Sequence, residues 1–425
     1  MSVYIYYELY CIALSTIIVK CSFDRDKWGG LRMASWRNTT DSPTWKFIIL
    51  IIVVMITGLS QGLLLPLLTI FLERMGVPSD LNALNATALY LGVFSMMFLV
   101  ERILIRLGYK KMLLAGMVSV TIALALFPFF PNIWVWFVLR IVVGLGDSAL
   151  HYATQLWAVS VSPANRRGRN ISLYGMAYGV GFSFGPLGIN LLSIHDSAPF
   201  IAIVLLFLIV MAIVYVKLPN EEAAMMKDGS RPEKRYRRSY QWAWFALMPA
   251  FLYGYMEASM NSNFPVYALR LGMEQHWISY LLPFFGIGGL ILQLPLGMLS
   301  DRIDRKKVLM ACGILGGLGF LIIPFVGTNI WGILIMFMLV GGLVGSFFSL
   351  GLAYAADILP KEYLPSANVI ASIHFSLGSI IGPNLAGIGI QYVSIGSMFY
   401  LLGAWYIGFS LLGFIFRRRN KTLAS

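Results

Sequence analysis

The feature that most constrains this chain is its succession of apolar stretches, each about as long as a membrane is thick. A helix needs about 20 apolar residues to cross the hydrocarbon core of a bilayer. Such stretches are read at 45–72, 82–101, 110–130, 133–160, 170–194, 197–217, 241–268, 276–299, 307–326, 329–358, 364–392 and 396–416. Only Pro131 and Asn132 separate the third from the fourth, which predicts a tight helical hairpin. Composition points the same way. Apolar residues make up 58% of the chain and charged residues 12%, against roughly 25% charged in soluble proteins. So few charges cannot cover a soluble exterior, so most of the outer surface must face lipid. The expected class is an all-α membrane protein with twelve transmembrane helices.

The basic residues set the expected orientation. Of the 32 lysines and arginines, 29 fall before the first stretch or in alternate loops after it. The opposite side carries only Arg74 and Arg270, and Arg140 lies inside a stretch. Cytoplasmic loops hold the excess of Lys and Arg, so both termini of the helical body are expected in the cytoplasm. The net charge of +13 therefore reads as a topology signal, and no nucleic-acid partner is expected. Cys11, Cys21 and Cys312 form no framework and no CxxC spacing, so neither disulfide nor metal chemistry is expected.

Residues 1–44 read as an N-terminal extension with a short apolar segment, Ile12–Val19, that lacks the marks of a signal peptide. Residues 1–32 are expected to be dispensable or misassigned, with Met33 as a natural start. The charged stretch 218–240 divides the spans six and six and is read as a cytoplasmic linker. It separates an N-terminal bundle (45–217) from a C-terminal bundle (241–416), and a basic tail (417–425) follows. The halves repeat. Gly181, Gly185 and Pro186 form a GxxxGP motif that recurs as Gly378, Gly382 and Pro383, 197 residues on. The segment from Leu107 to Met112 recurs as Ile303 to Val308, 196 on. Six spans is an even number, so the repeats are expected to be parallel, with a substrate site midway between them.

The loop after the eighth stretch reads Gly297-Met-Leu-Ser-Asp301-Arg302-Ile-Asp304-Arg305-Lys306-Lys307. It resembles the G-x-L-x-D-R-x-x-R-K loop of the major facilitator superfamily (MFS). The resemblance implies the MFS fold and a gating role for Gly297, Asp301, Arg302, Arg305 and Lys306, with Asp301 facing the start of the eleventh span. Ile105 stands in place of the aspartate in the first-half copy, which implies a weaker or differently built latch there. The GxxxGP motif resembles that of the drug:proton antiporter branch, although Ile189 holds the place of its further glycine. Within that branch the chain looks most like uncharacterised Bacillus-type members.

Arg140, Gly144, Asp147, His151 and Gln155 share one face of the fourth stretch. A charge inside a bilayer is costly unless it faces protein or water, so this face is expected to line an aqueous cavity. Arg140 to Gly144 resembles the arginine motif that the family associates with proton coupling. Asp147 and His151, one turn apart, are expected to share a proton, and Glu257 in the seventh stretch is the further carboxylate for a proton or a cationic group. Gln61, Gln155, Glu257, Asn261 and His374 are the expected cavity residues, while Glu73, Asp357 and His195 at span ends are expected to be solvated. No GxxxxGK[ST] loop or HExxH motif is present, so the expected energy source is a proton gradient, with no cofactor and no enzymatic activity. The resulting expectation is a monomeric, multi-pass plasma-membrane transporter that exports small amphipathic or cationic compounds by alternating access. The alternatives left open are a proton symporter for a sugar or anionic solute anchored on Arg140, a lipid flippase, and a membrane sensor.

Overall fold

The computed structural model describes residues 43–163, 166–222 and 235–416, apart from the side chains of Pro43, Arg167 and Gly168. The apolar segment near the N-terminus, residues 223–234 of the linker and the basic tail lie outside the described residues. The described secondary structure is helical: α1 (Pro43–Arg74), α2 (Ser79–Met97), α3 (Val100–Leu126), α4 (Ile133–Ser160), α5 (Arg167–Phe184), α6 (Ala198–Lys217), α7 (Arg235–Arg270), α8 (Gln275–Arg302), α9 (Arg305–Val326), α10 (Ile330–Val344 and Phe347–Ile358), α11 (Leu364–Tyr392) and α12 (Ser397–Ile415). A 3-10 segment, Gly185–Ser193, prolongs α5. There the motif proline, Pro186, has no backbone N–H to continue the α-helical ladder.

Among the described residues, nine helices are long and apolar enough to cross a membrane. The helices outside that set are α2, α5 and α7, which carry more polar residues and glycine. These three contact the opposite half of the chain, α2 on α11, α5 on α8 and α7 on α1. A helix with a protein neighbour on its inner face needs less apolar surface than one ringed by lipid. On α6 the opposite situation holds: Ile201, Leu205, Leu208 and Ile209 are exposed apolar side chains at helical spacing, as a lipid-facing surface requires.

Helix starts follow local capping chemistry. The Asn132 side chain accepts from the backbone N–H groups of Trp134 and Val135 and opens α4 after the predicted hairpin. Asn329, 197 residues on, does the same for α10 through Gly332. Asp304 caps α9 through Lys306 and Lys307. The first-half loop differs from expectation. Residues 100–107 are helical rather than a loop, and the helix breaks only at Gly108, whose φ of 75° suits a residue without a side chain.

The packing repeats with the sequence. The helix pairs α1·α5, α2·α4 and α3·α6 are matched by α7·α11, α8·α10 and α9·α12. Glycine crossings hold the larger pairs, and their positions shift together. A Cβ on Gly181 would collide with the backbone of Met55, and one on Gly378 with that of Phe251. A Cβ on Gly144 would strike Leu89, and one on Gly341 Phe285. The offset is 196 from Met55 to Phe251 and from Leu89 to Phe285, and 197 from Gly144 to Gly341. Small residues at these crossings let the backbones touch, and in lipid such packing stands in for hydrophobic collapse.

Hydrogen bonds between α1–α6 and α7–α12 are found, among the described residues, towards the face that carries Arg74 and Arg270. Glu73 pairs with Arg270 at 2.7 Å, and Arg74 bonds Gln275. Ser279 donates to Asn190, the Ser79 N–H to Gln391, and Asn384 to Thr87. Along α5 and α8 the contact fades with depth. A Cβ on Gly286 would collide with Ser183, whereas one on Gly175 or Gly297, nearer the basic face, would meet nothing within 4 Å among the described residues.

Candidate functional site

The polar residues of α1, α4 and α5 meet deep in the body. Asp147 is fully buried. Its Oδ2 accepts from Gln61 Nε2 at 2.9 Å, and Gln61 Oε1 accepts from the Tyr178 hydroxyl at 2.7 Å. One residue from each of three helices is thus tied into a single chain. Glycine makes it possible: Gly58, Gly62, Gly181 and Gly185 bring α1 against α5, close enough for a glutamine to span the gap. Nearer the basic face, His151 lies edge-on to the Tyr178 ring at 4.6 Å, and its Nδ1 is 3.4 Å from the Tyr174 hydroxyl. Tyr174 in turn is 2.8 Å from Thr154.

This geometry corrects the expectation that Asp147 and His151 share a proton. Residues four apart on a helix have Cβ atoms about 5–6 Å apart, and here α1 and α5 supply nearer partners to each. The expected aqueous face of α4 also needs correction. Exposure grows along it, from Arg140 at 1% and Asp147 at 0%, through half-buried His151, to exposed Gln155. The backbone contact of Gly144 with Leu89, and of Gly92 with Ile141, closes α2 over the deep end and leaves the basic end open. The Arg140 nitrogens and Asp147 Oδ1 have no hydrogen-bond partner among the described residues.

Glu257 sits on α7 at the position equivalent to Gln61, 196 residues on. Tyr253, one turn away, lies within electrostatic range of its carboxyl. Tyr178 and Tyr90 lie within electrostatic range of it, and Tyr90 is within range of Arg140 as well. Buried Asp147 and half-buried Glu257 thus lie on opposite halves, with Tyr178 within electrostatic range of both.

Other expected cavity residues are placed differently. Asn261 is buried and donates to the Glu257 carbonyl, not to its carboxylate, because the i, i+4 backbone oxygen is the nearer acceptor. His374 lies tilted against Tyr240 at 5.7 Å and close to the backbone of Leu247. Leu247 is ten residues from Glu257, about 15 Å along the helix, so His374 belongs to the basic end. Asn263, which sequence reasoning passed over, donates to the carbonyl of motif residue Pro383 at 3.2 Å.

The basic-face loops also differ from expectation. Asp301 accepts from Arg305 at 2.6 Å rather than facing the start of α11, and the Arg305 Nε reaches Asp357 at 2.8 Å. Because Asp304 caps α9, Arg305 opens that helix and its guanidinium turns back between the two carboxylates. Lys306 donates to the Phe416 carbonyl at 2.8 Å, Arg302 is exposed, and Gly297 brings no helix close. Asp357 and Glu73, expected to be solvated, are paired, while His195 is exposed as expected. In the first half, Ile105 is exposed and the acid comes from the linker. Glu221 takes Lys46 Nζ at 2.5 Å and the Trp157 indole N–H at 2.7 Å, while its carbonyl takes the Tyr109 N–H at 3.1 Å. A single sequence gives no signal that Glu221 would meet Lys46, Tyr109 and Trp157.

These features define a multi-pass membrane protein of the transporter class, and comparison places it. The Major Facilitator Superfamily model matches residues 50–289 and 250–425. The chain is 39% identical over 364 residues to the uncharacterised MFS-type transporter YfkF of Bacillus subtilis, covering 84% of this chain and 91% of that protein. It is 20% identical over 294 residues to the uncharacterised MFS-type transporter YcaD of Salmonella dublin, covering 68% and 74%. Among solved structures it resembles the nucleoside transporter NupG, with a TM-score of 0.69, 14% identity and coverage of 87% and 99%. It also resembles a bacterial homologue of the human lysosomal transporter Spinster in an inward-facing, unoccupied conformation, with a TM-score of 0.64, 12% identity and coverage of 87% and 95%. The chain belongs to the major facilitator superfamily and is a transporter, not an enzyme.

Proposed function

We propose that this chain is a proton-coupled secondary transporter of the plasma membrane that exports small amphipathic or cationic compounds by alternating access. In this reading twelve helices span the membrane as two parallel six-helix repeats, with both ends of the body in the cytoplasm and a monomer as the working unit. The halves are 45–217 and 241–416, joined by 218–240. The observation that carries the reading is a pair of carboxylates, buried Asp147 and half-buried Glu257, one on each half, with Tyr178 within electrostatic range of both. A carboxylate in a membrane interior is expensive unless it does work, at about 2.5–3.5 kcal/mol on insertion scales, and a proton or an organic cation is what such a group binds. The bonds at the Arg74–Arg270 face and the parting of α5 and α8 towards the basic face suit a state open to the cytoplasm.

The test is ethidium transport into inside-out vesicles with an imposed pH gradient. Wild type is expected to accumulate the dye and release protons, and Asp147→Asn and Glu257→Gln are each expected to abolish gradient-driven flux while leaving expression intact. Wild-type rates in both variants would refute the reading. The rival is a symporter with Arg140 as anchor for an anionic solute, favoured by the unpartnered Arg140 guanidinium. It gains if ethidium elicits no proton movement and Arg140→Lys abolishes flux of a sugar phosphate.

A further inference from the structure

We propose that the Gln61 side-chain amide is a donor–acceptor switch that carries the protonation state of Asp147 to Tyr178 and so towards Glu257 in the other half. This rests on the proton-coupled reading and adds the element that would connect its two carboxylates.

The argument starts from what each group can donate. An ionised carboxylate only accepts, a hydroxyl carries one hydrogen, and an amide has a donating end and an accepting end. With Asp147 ionised, Gln61 must present Nε2 to Oδ2, as it does at 2.9 Å. Its oxygen then faces Tyr178, which must donate, as it does at 2.7 Å. The chain therefore has one polarity. A proton added at Oδ2 turns Asp147 into a donor facing a donor. Half a turn of the amide about its last side-chain torsion, which is broad and two-fold, restores the match. Oε1 then accepts from the Asp147 hydroxyl, and Nε2 donates to the Tyr178 oxygen. No covalent bond breaks, and the bound proton stays on Asp147. The Tyr178 hydrogen is released from Gln61 and needs another acceptor, and Glu257 is, besides Asp147 itself, a carboxylate within electrostatic range of it. Protonation at Oδ1 instead would leave the amide unturned, but Oδ1 is buried with no partner among the described residues, so a hydroxyl there would have nothing to donate to.

The groups around Asp147 leave the switch to these residues. Its own helix supplies Arg140 and His151, of which His151 is engaged with Tyr174 and the Tyr178 ring. Helix α2 supplies Tyr90, and α5 supplies Tyr178. Helix α3 meets this part of α4 with Gly116, Ser119 and Val120, which do not titrate. From α7 come Glu257 and Tyr253, which lie within electrostatic range of each other. Gln61 and Glu257 are repeat equivalents, so duplication has left an amide in one half and a carboxylate in the other at the same depth.

The experiment is pH-difference infrared spectroscopy of the full chain in vesicles of phosphatidylethanolamine and phosphatidylglycerol, with glutamine labelled at its side-chain carbonyl. The Asp147 carboxyl band is assigned by its loss in Asp147→Asn, and the Gln61 band by its loss in Gln61→Met, or in Gln61→Asn should the first fail to fold. The two bands are expected to change together with pH, the Gln61 change to vanish in Asp147→Asn, and Tyr178→Phe to diminish it. An Asp147 band that titrates beside a Gln61 band that does not would overturn the switch while leaving proton coupling standing. An Asp147 carboxyl that never titrates would overturn both.

Discussion

Glu221 offers the sharpest quantitative test, because its three contacts join the linker to α1, α3 and α4 and none was foreseen. Glu221→Gln keeps an acceptor for the Trp157 indole but turns an amide N–H towards the Lys46 ammonium. A hydrogen bond to a charged group contributes about 1.5–3 kcal/mol. The carboxylate side chain is 34% exposed and that of Lys46 14%, so screening lowers the expected loss to roughly 1–2 kcal/mol. Glu221→Ala also strands the Trp157 N–H. Trp157 is fully buried, and an unsatisfied buried donor costs about 1–3 kcal/mol more. The expected order is wild type, then Gln, then Ala, with total losses of roughly 1–2 and 2–5 kcal/mol. The assay is equilibrium unfolding in mixed detergent–SDS micelles followed by tryptophan emission. Trp157 stacks on Tyr109 at 5.3 Å, so its environment should also change before global unfolding in the Ala variant. A double-mutant cycle of Glu221→Gln with Lys46→Met should show coupling of about 1 kcal/mol, since the pair shares one bond. A loss below about 0.5 kcal/mol for Glu221→Ala, with unchanged emission, would refute the clamp.

Two further outcomes are expected. Gly181→Ala and Gly378→Ala should each cost about 1–3 kcal/mol in the same unfolding assay, because the added methyl meets backbone that cannot rotate aside; Gly175→Ala, in open space, should cost far less, and equal losses at all three would refute the crossing. In a cysteine-free background, Asn190→Cys with Ser279→Cys should cross-link on oxidation, since the two side chains are hydrogen-bonded at 2.9 Å, and should stop transport until reduced; cross-linked protein that still transports would show that this face does not open.

Some of this protein is legible in one dimension because the bilayer is a uniform solvent. It imposes a length on every crossing helix and so makes the apolar stretches countable. The duplication is legible for a related reason. Glycine at a crossing is a steric requirement repeated in both halves, so Gly181 and Gly378 announce it in the sequence. Asn132 and Pro131 likewise mark a helix boundary through local capping, which needs no knowledge of the rest of the chain. The helical face of Arg140, Asp147 and His151 follows from periodicity alone.

Which partner each of those groups takes does not. Asp147 bonds Gln61 from 86 residues away rather than His151 one turn along, because the glycine crossings bring α1 and α5 within reach of α4. Arg305 reaches Asp357, and Glu221 of the linker takes Lys46 and Trp157, for the same reason: a side chain bonds whatever the packing brings within about 3 Å, however distant in sequence. The sequence by itself determined the all-helical class, the repeat and the candidate carboxylates. Only the tertiary structure decided which helices meet, and hence that Gln61 and Tyr178 join buried Asp147 in one hydrogen-bonded chain.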